Sequence, residues 1–277
     1  MPLAALDILV PARSRRERCG PAGALAAMKL AGPVRFLALA ALLCRPAFAG
    51  PPFLTDDPEP VDLHHWEAYV FSTYDHAADG TSLQGPALEF NFGAAPELQL
   101  HLVVPWTWDR PEDGAARSGL GDVEVGCKLR LLDESDTRPQ VGVFPMVELP
   151  TGDAARGLGN GHVWFRVPLW IQKSWGPWTT YGGGGWVVNR AAGQRDHAFA
   201  GWLLQRDFGR RLTLGGEVFA QGAQVPGGNG STFANVGGSL NFSPGFSLLF
   251  SAGRALAGER HTIAYLGLYW TWGPPSS

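Results

Sequence analysis

Read alternately, residues 122 to 131 separate into two faces. Val123, Val125, Cys127, Leu129 and Leu131 point one way, and Asp122, Glu124, Gly126, Lys128 and Arg130 point the other. Successive side chains on a strand face opposite sides of the sheet, so this pattern predicts a strand with one apolar and one charged face. Residues 98 to 108 repeat it, with Leu98, Leu100, Leu102, Val104, Trp106 and Trp108 opposed by Gln99, His101 and Thr107. About twelve such strands follow one another from His64 to Trp272, and no stretch sustains a helical period. Strand 4 is expected over Leu120 to Leu132, strand 5 over Arg138 to Leu149 and strand 11 over Phe246 to Arg254. The two faces of strands 1, 7 and 8 are not separable from pattern alone.

The connections alternate. Tight turns such as Gly176-Pro177 and Ser243-Pro244-Gly245 follow strands 2, 6, 8 and 10. Long Gly-, Asp- and Asn-rich loops follow strands 3, 5 and 9. Short turns at one end and long loops at the other are the signature of an outer-membrane barrel whose termini lie in the periplasm. The expected fold is therefore all-β: a closed antiparallel transmembrane β-barrel of about 12 strands. Closure satisfies every backbone group in lipid. A soluble β-sandwich with a secreted binding role is the competing fold.

Under this topology, Trp106 and Trp108 fall at the long-loop end of the barrel. Trp175, Trp270 and Trp272 fall at the short-turn end. All five share parity with the apolar residues of their strands, as interfacial aromatics should. Lys173 has the same parity and lies near an interface, where it can snorkel. The opposite parity lines the lumen: Glu89, Gln99, His101, Asp122, Glu124, Lys128, Arg130, Gln140, Glu148, Arg166, Gln172, Gln205, Glu217, Gln221 and Arg254. Such a lining serves either as a structural network or as a filter for solutes.

Composition agrees with this picture. Of 277 residues, 37 are Gly, 11 are Trp and only 17% are charged, which suits strands and turns. Lys29 and Arg35, the apolar run Phe36 to Leu43 and Ala47-Phe48-Ala49 form a secretory signal over residues 28–49. Residues 1–27 are expected to be an upstream extension outside the native protein. Seven of the 22 basic and two of the 25 acidic residues lie in residues 1–49, leaving 15 basic and 23 acidic, a net of −8. That excludes a nucleic-acid binder. Cys127 alone remains, so no internal disulfide framework exists. Residues 50–63 read as an irregular, solvated periplasmic lead-in, and 273–277 as a C-terminal tail. Asp56, Asp57 and Glu59 are candidates for a cation, with solvated charges the favoured reading.

Enzyme motifs are weak. There is no Gly-x-Ser-x-Gly elbow, and Gly230-Ser231-Thr232 sits in a long loop. His64-His65-Trp66-Glu67 lacks a metal spacing. Gly182 to Gly185 lack the Lys-Ser/Thr of a phosphate loop and instead suit bends in a strand. No enzyme activity, cofactor or metal is expected.

Five stretches carry a resemblance. They are Thr55-Asp56-Asp57-Pro58-Glu59-Pro60-Val61, Gly119-Leu120-Gly121-Asp122, Glu148-Leu149-Pro150-Thr151-Gly152-Asp153, Gln172 to Gly185, and Leu214-Gly215-Gly216-Glu217-Val218-Phe219. The chain from about Pro51 to Trp272 resembles the outer-membrane barrel family labelled after the meta-pathway of phenol degradation. The resemblance implies a transporter passing small molecules, aromatic or apolar compounds among them. It also implies outer-membrane lipid and the outer-membrane assembly machinery as partners. One departure concerns that machinery: Gly273 to Ser277 follow Trp272, where such barrels often end on an aromatic. A closed structural or lipid-modifying barrel is the alternative function.

Overall fold

The computed structural model describes residues 51–274; the expected leader and the segment before it lie outside them. The strands are β1 (Trp66–Ala77), β2 (Gly80–Ala95), β3 (Leu98–Pro111), β4 (Arg117–Leu120), β5 (Val123–Leu132), β6 (Gln140–Val143) and β7 (Met146–Leu149). They continue as β8 (Trp164–Trp175), β9 (Trp178–Val188), β10 (His197–Phe208), β11 (Leu212–Gln221), β12 (Ser231–Ser243), β13 (Phe246–Ala257) and β14 (Thr262–Trp272). Apart from β4 with β5 and β6 with β7, neighbours along the chain pair antiparallel, and β1 pairs with β14 over Trp66↔Trp272 to His76↔Thr262. The result is a closed antiparallel barrel of twelve strand positions, in which only the short β4 pairs on one side, with β3.

Two positions are interrupted, which explains fourteen segments in place of twelve. β5 takes the place of expected strand 4, and β4 forms at the end of the loop expected after strand 3; together they fill the fourth position, broken at Gly121-Asp122. The Gly121 N–H donates to the Pro105 carbonyl. The Asp122 carboxylate turns aside to accept from the N–H groups of Gly152 (2.8 Å) and Asn160 (2.5 Å), tying down the 150–163 loop. β6 and β7 share the place of expected strand 5, broken at Phe144-Pro145, because proline supplies no ladder N–H. Parity survives the break: Gln140, Phe144, Met146 and Glu148 are all buried.

The barrel is inverted relative to a water-soluble one. Leu100, Leu102, Phe165, Val167, Leu169, Ile171, Val218 and Leu266 cover the outside, each between about a third and two thirds exposed. Glu67, Glu89, Asn91, Gln99, Lys128, Gln172 and Gln205 are buried inside.

The stretch expected to be a solvated lead-in is inside as well. Phe53, Thr55, Asp56, Asp57, Glu59 and Val61 are at most 7% exposed. Residues 51 to 62 run through the bore and leave it at the short-turn end, where Leu63 bridges Gly93. The chain then reverses at His64, whose φ is 62°. A Cβ at Gly93 would collide with the Asp62 carbonyl, so the turn requires glycine there. This overturns the solvated reading. The acidic residues looked like solvent-facing charge because their partners lie on distant strands.

Candidate functional site: a plugged bore beneath an aromatic vestibule

The lower bore is built around the lead-in. Lys128 on β5 reaches inward and its Nζ donates to Asp56 (3.1 Å) and Asp57 (3.4 Å). It also lies over the Phe144 ring, 5.1 Å from the centroid. Two strand positions lower, Arg130 grips Glu59 (2.6 Å) and Glu97 (2.6 Å), and Gln140 donates to the other Glu59 oxygen. Burial pushes the Glu59 carboxyl up to about 7, against the pull of Arg130. On the far wall, Glu217 accepts the backbone N–H groups of Leu54 and Thr55. Gln99 accepts that of Val61, and Ser251 donates to the Pro52 carbonyl. Glycines leave the room this needs: a Cβ on Gly201 would strike Thr55 Oγ1, and one on Gly142 would meet the Pro58 carbonyl at 2.8 Å. The three acids therefore do not await a cation. Their cations are Lys128 and Arg130.

A second network climbs from the plug toward the loops. Asn91 donates to Glu89 (2.9 Å), His101 contacts Asn91 Oδ1 (2.7 Å) and Glu124 (3.2 Å), and Arg166 Nη2 reaches Glu124 (3.4 Å). Glu67 accepts from the hydroxyls of Tyr69 and Tyr269, both at 3.0 Å.

Above the plug, at the long-loop end, lies a cavity of about 410 Å³. Its floor includes Leu54 of the lead-in. Trp164 and Arg166 of β8, Val187 of β9, Phe199 of β10, Phe219 of β11 and Phe233 of β12 form one side. Phe199 and Phe219 are stacked at 5.9 Å, and Trp170 packs beneath Phe199 at 6.1 Å. Asp75, Asp79, Glu259 and His261 form the other side.

Most of the expected lining residues do face inward. Glu89, Gln99, His101, Asp122, Glu124, Lys128, Gln140, Glu148, Gln172, Gln205 and Glu217 are buried in the bore, and Arg130, Arg166 and Gln221 are half-buried. Arg254 is the exception. Ser247, Leu249 and Ser251 take the inner parity of β13, so Arg254 points outward with Leu248, Phe250 and Ala252. Its charge suggested the lumen, but near the loop end of a strand an outward charge costs little. The inward aromatics were missed altogether. Phe199 shares parity with Gln205 and Phe219 with Glu217, so the assigned neighbours already placed them.

Trp106, Trp108, Trp175 and Trp272 point outward, each close to half exposed. Trp270 is half-buried and stacks on Phe246 at 5.1 Å. At the short-turn end they join Trp66, which lies 6.5 Å from Trp272 and 4.5 Å from Phe92. Lys173, also outward, pairs with Glu134 at 2.9 Å.

The barrel has close relatives in shape among solved structures. A COG4313 outer membrane channel from Pseudomonas putida F1 superposes with a TM-score of 0.62 at 16% identity, over 78% of this chain and 98% of that one. The KdgM porin gives 0.52 at 12% identity, over 74% and 99%. The translocator domain of the autotransporter NalP from Neisseria meningitidis gives 0.50 at 9%, over 86% and 93%. At such identities the likeness is one of fold. No curated protein sequence matches the chain. A family model does, over residues 78–271, most of the barrel, and the chain belongs to the family it describes, "Putative MetA-pathway of phenol degradation".

Proposed function

We propose that this protein is an outer-membrane channel that passes small apolar or aromatic molecules, with no enzymatic step. The observation that carries the proposal is the inverted polarity of a closed barrel. A belt of Leu, Val, Ile and Phe covers the outside, aromatic side chains flank both its ends, and buried charge fills the inside. Hydrocarbon is the environment that stabilises such an exterior without a second protein layer. The aromatic vestibule and the family's label support the class of solute. The family, the fold relatives and the belt support location in the outer membrane, with lipid and the assembly machinery as partners. A cleavable leader over residues 28–49 supplies the export step of this reading.

The seated lead-in favours a second reading, a closed structural or lipid-modifying barrel. Planar-bilayer conductance separates the two, using the whole protein and a variant lacking residues 51–62. The channel reading expects rare, small openings from the whole protein and sustained conductance from the deletion variant. Bilayers that stay sealed with both would overturn it. Turnover of labelled phospholipid or lipopolysaccharide by the whole protein would install the lipid-modifying alternative.

A further inference from the structure

The vestibule has two unlike walls. The aromatic wall, from β8 to β12, presents Phe199 and Phe219 as a stacked pair with Trp164 and Phe233 beside them. The other wall comes from the end of β1, the β1–β2 turn and the β13–β14 connection, and presents Asp75, Asp79 and Glu259. His261 sits within this acidic wall, 2.9 Å from Asp75 and 3.7 Å from Glu259. The aromatic wall's arginine, Arg166, is engaged by Glu124 and so offers little charge to a guest.

The two walls ask for the same charge. The face of an aromatic ring carries negative potential and attracts a cation, and so does a carboxylate. An anion is disfavoured by both. The rings also require an apolar body to cover them, and about 410 Å³ suits one small organic molecule.

Resting on the channel reading and refining it, we infer that the vestibule selects small organic cations, namely amines with an aromatic or alkyl body. The ring or chain lies on Phe199 and Phe219, and the ammonium group points to Asp79 and Glu259. Leu54, at the floor, places the guest directly on the lead-in.

Three probes that share a ring and spacer but differ in charge test this: 2-phenylethylamine, 2-phenylethanol and phenylacetate. Each is titrated calorimetrically into the detergent-solubilised whole protein, with saturation-transfer NMR as a second readout. The amine binds about tenfold more tightly than the alcohol, as expected for partly exposed carboxylates aided by ring faces. Phenylacetate binds most weakly. The paired substitution D79N with E259Q removes most of the amine's advantage and leaves the alcohol unchanged. F199A with F219A weakens both, the amine more than the alcohol. Equal affinity for amine and alcohol, a preference undiminished by the paired substitution, or no binding by any probe would overturn the inference. Tightest binding of phenylacetate would reassign the site to Arg166. None of these results bears on bilayer conductance, which judges the channel reading separately.

Discussion

The lower bore and the vestibule face the same axis of the same barrel, yet they use their side chains in opposite ways. In the lower bore, charge finds its partner within the chain: Lys128 with Asp56 and Asp57, Arg130 with Glu59, and Glu217 with two backbone N–H donors. In the vestibule, Phe199, Phe219 and Phe233 border open space. An ionic lining is commonly read as a solute filter. Here the ionic partner of the barrel wall is the protein's own N-terminal segment, and the surface left free for a guest pairs aromatic rings with the carboxylates of Asp75, Asp79 and Glu259. Inward charge that finds its partner in the lead-in thus marks where the bore is closed, and inward rings and carboxylates that border the cavity mark where it is open.

The sharpest way to break this contrast is Lys128→Met. It removes the Lys128 cation from two buried carboxylates, a change that typically costs about 3–5 kcal/mol. The cost falls on the seated lead-in, because the twelve-strand ladder does not depend on Lys128. Conductance should rise toward that of the variant lacking residues 51–62, while unboiled protein keeps its fast migration in SDS. A variant as sealed as the parent would show that the ion pair does not hold the plug.

Gly201 is where the two regions meet. A Cβ there would strike Thr55 Oγ1 of the plug and come within 2.8 Å of the Phe219 ring. Overpacking of this kind costs about 1–3 kcal/mol. Gly201→Ala should therefore loosen the plug and disturb the Phe199–Phe219 stack together. Partial conductance and weakened binding of aromatic probes should appear in the same protein. Loss of one without the other would mean that the two regions are independent.

Glu59 makes the lower bore sensitive to pH. Its carboxyl has an ordinary value of 4.5 in a free lead-in and about 7 when seated. A raised value means that the seated state favours the protonated group. That contribution is complete below 4.5 and disappears as pH rises through about 7. Conductance through the parent should therefore increase as pH rises from about 4.5 to about 7 and level off above that. Glu59→Gln, which stays neutral, should flatten the profile between pH 4.5 and 7. An unchanged profile would place the sensitivity on another group.

How much of this was legible follows from where the partners lie. The faces of β5 and β8 were readable because each strand alternates cleanly, and the Phe144-Pro145 break was foreseeable from proline's missing N–H. Strand 1 was not, because Trp66 and Tyr74 point outward while Tyr69 and Phe71 point inward. An aromatic on each face erases the contrast that parity needs. The plug was hidden for another reason. Asp56 finds Lys128 seventy-two residues away, on the inner face of the barrel wall, and short-range pattern carries no trace of that distance. Its acids looked solvated because acids on a Pro-rich segment usually are.

Arg254 sets the smallest effect and the cleanest control. Charge placed it in the lumen, but it stands outside on β13, near the loop end, while Arg166 stands inside beside Glu124. Both are arginines on the loop-side half of the barrel, so neutralising each separates position from charge. In the variant lacking residues 51–62, where the bore conducts, Arg166→Gln should raise cation preference in reversal-potential measurements. It removes an inward positive charge and leaves Glu124 without that partner. Arg254→Gln should leave the reversal potential where it was, because bilayer headgroups and water screen an outward charge from the lumen. A shift from Arg254→Gln as large as that from Arg166→Gln would mean that β13 is turned about, and with it the parity on which the inner and outer faces were assigned.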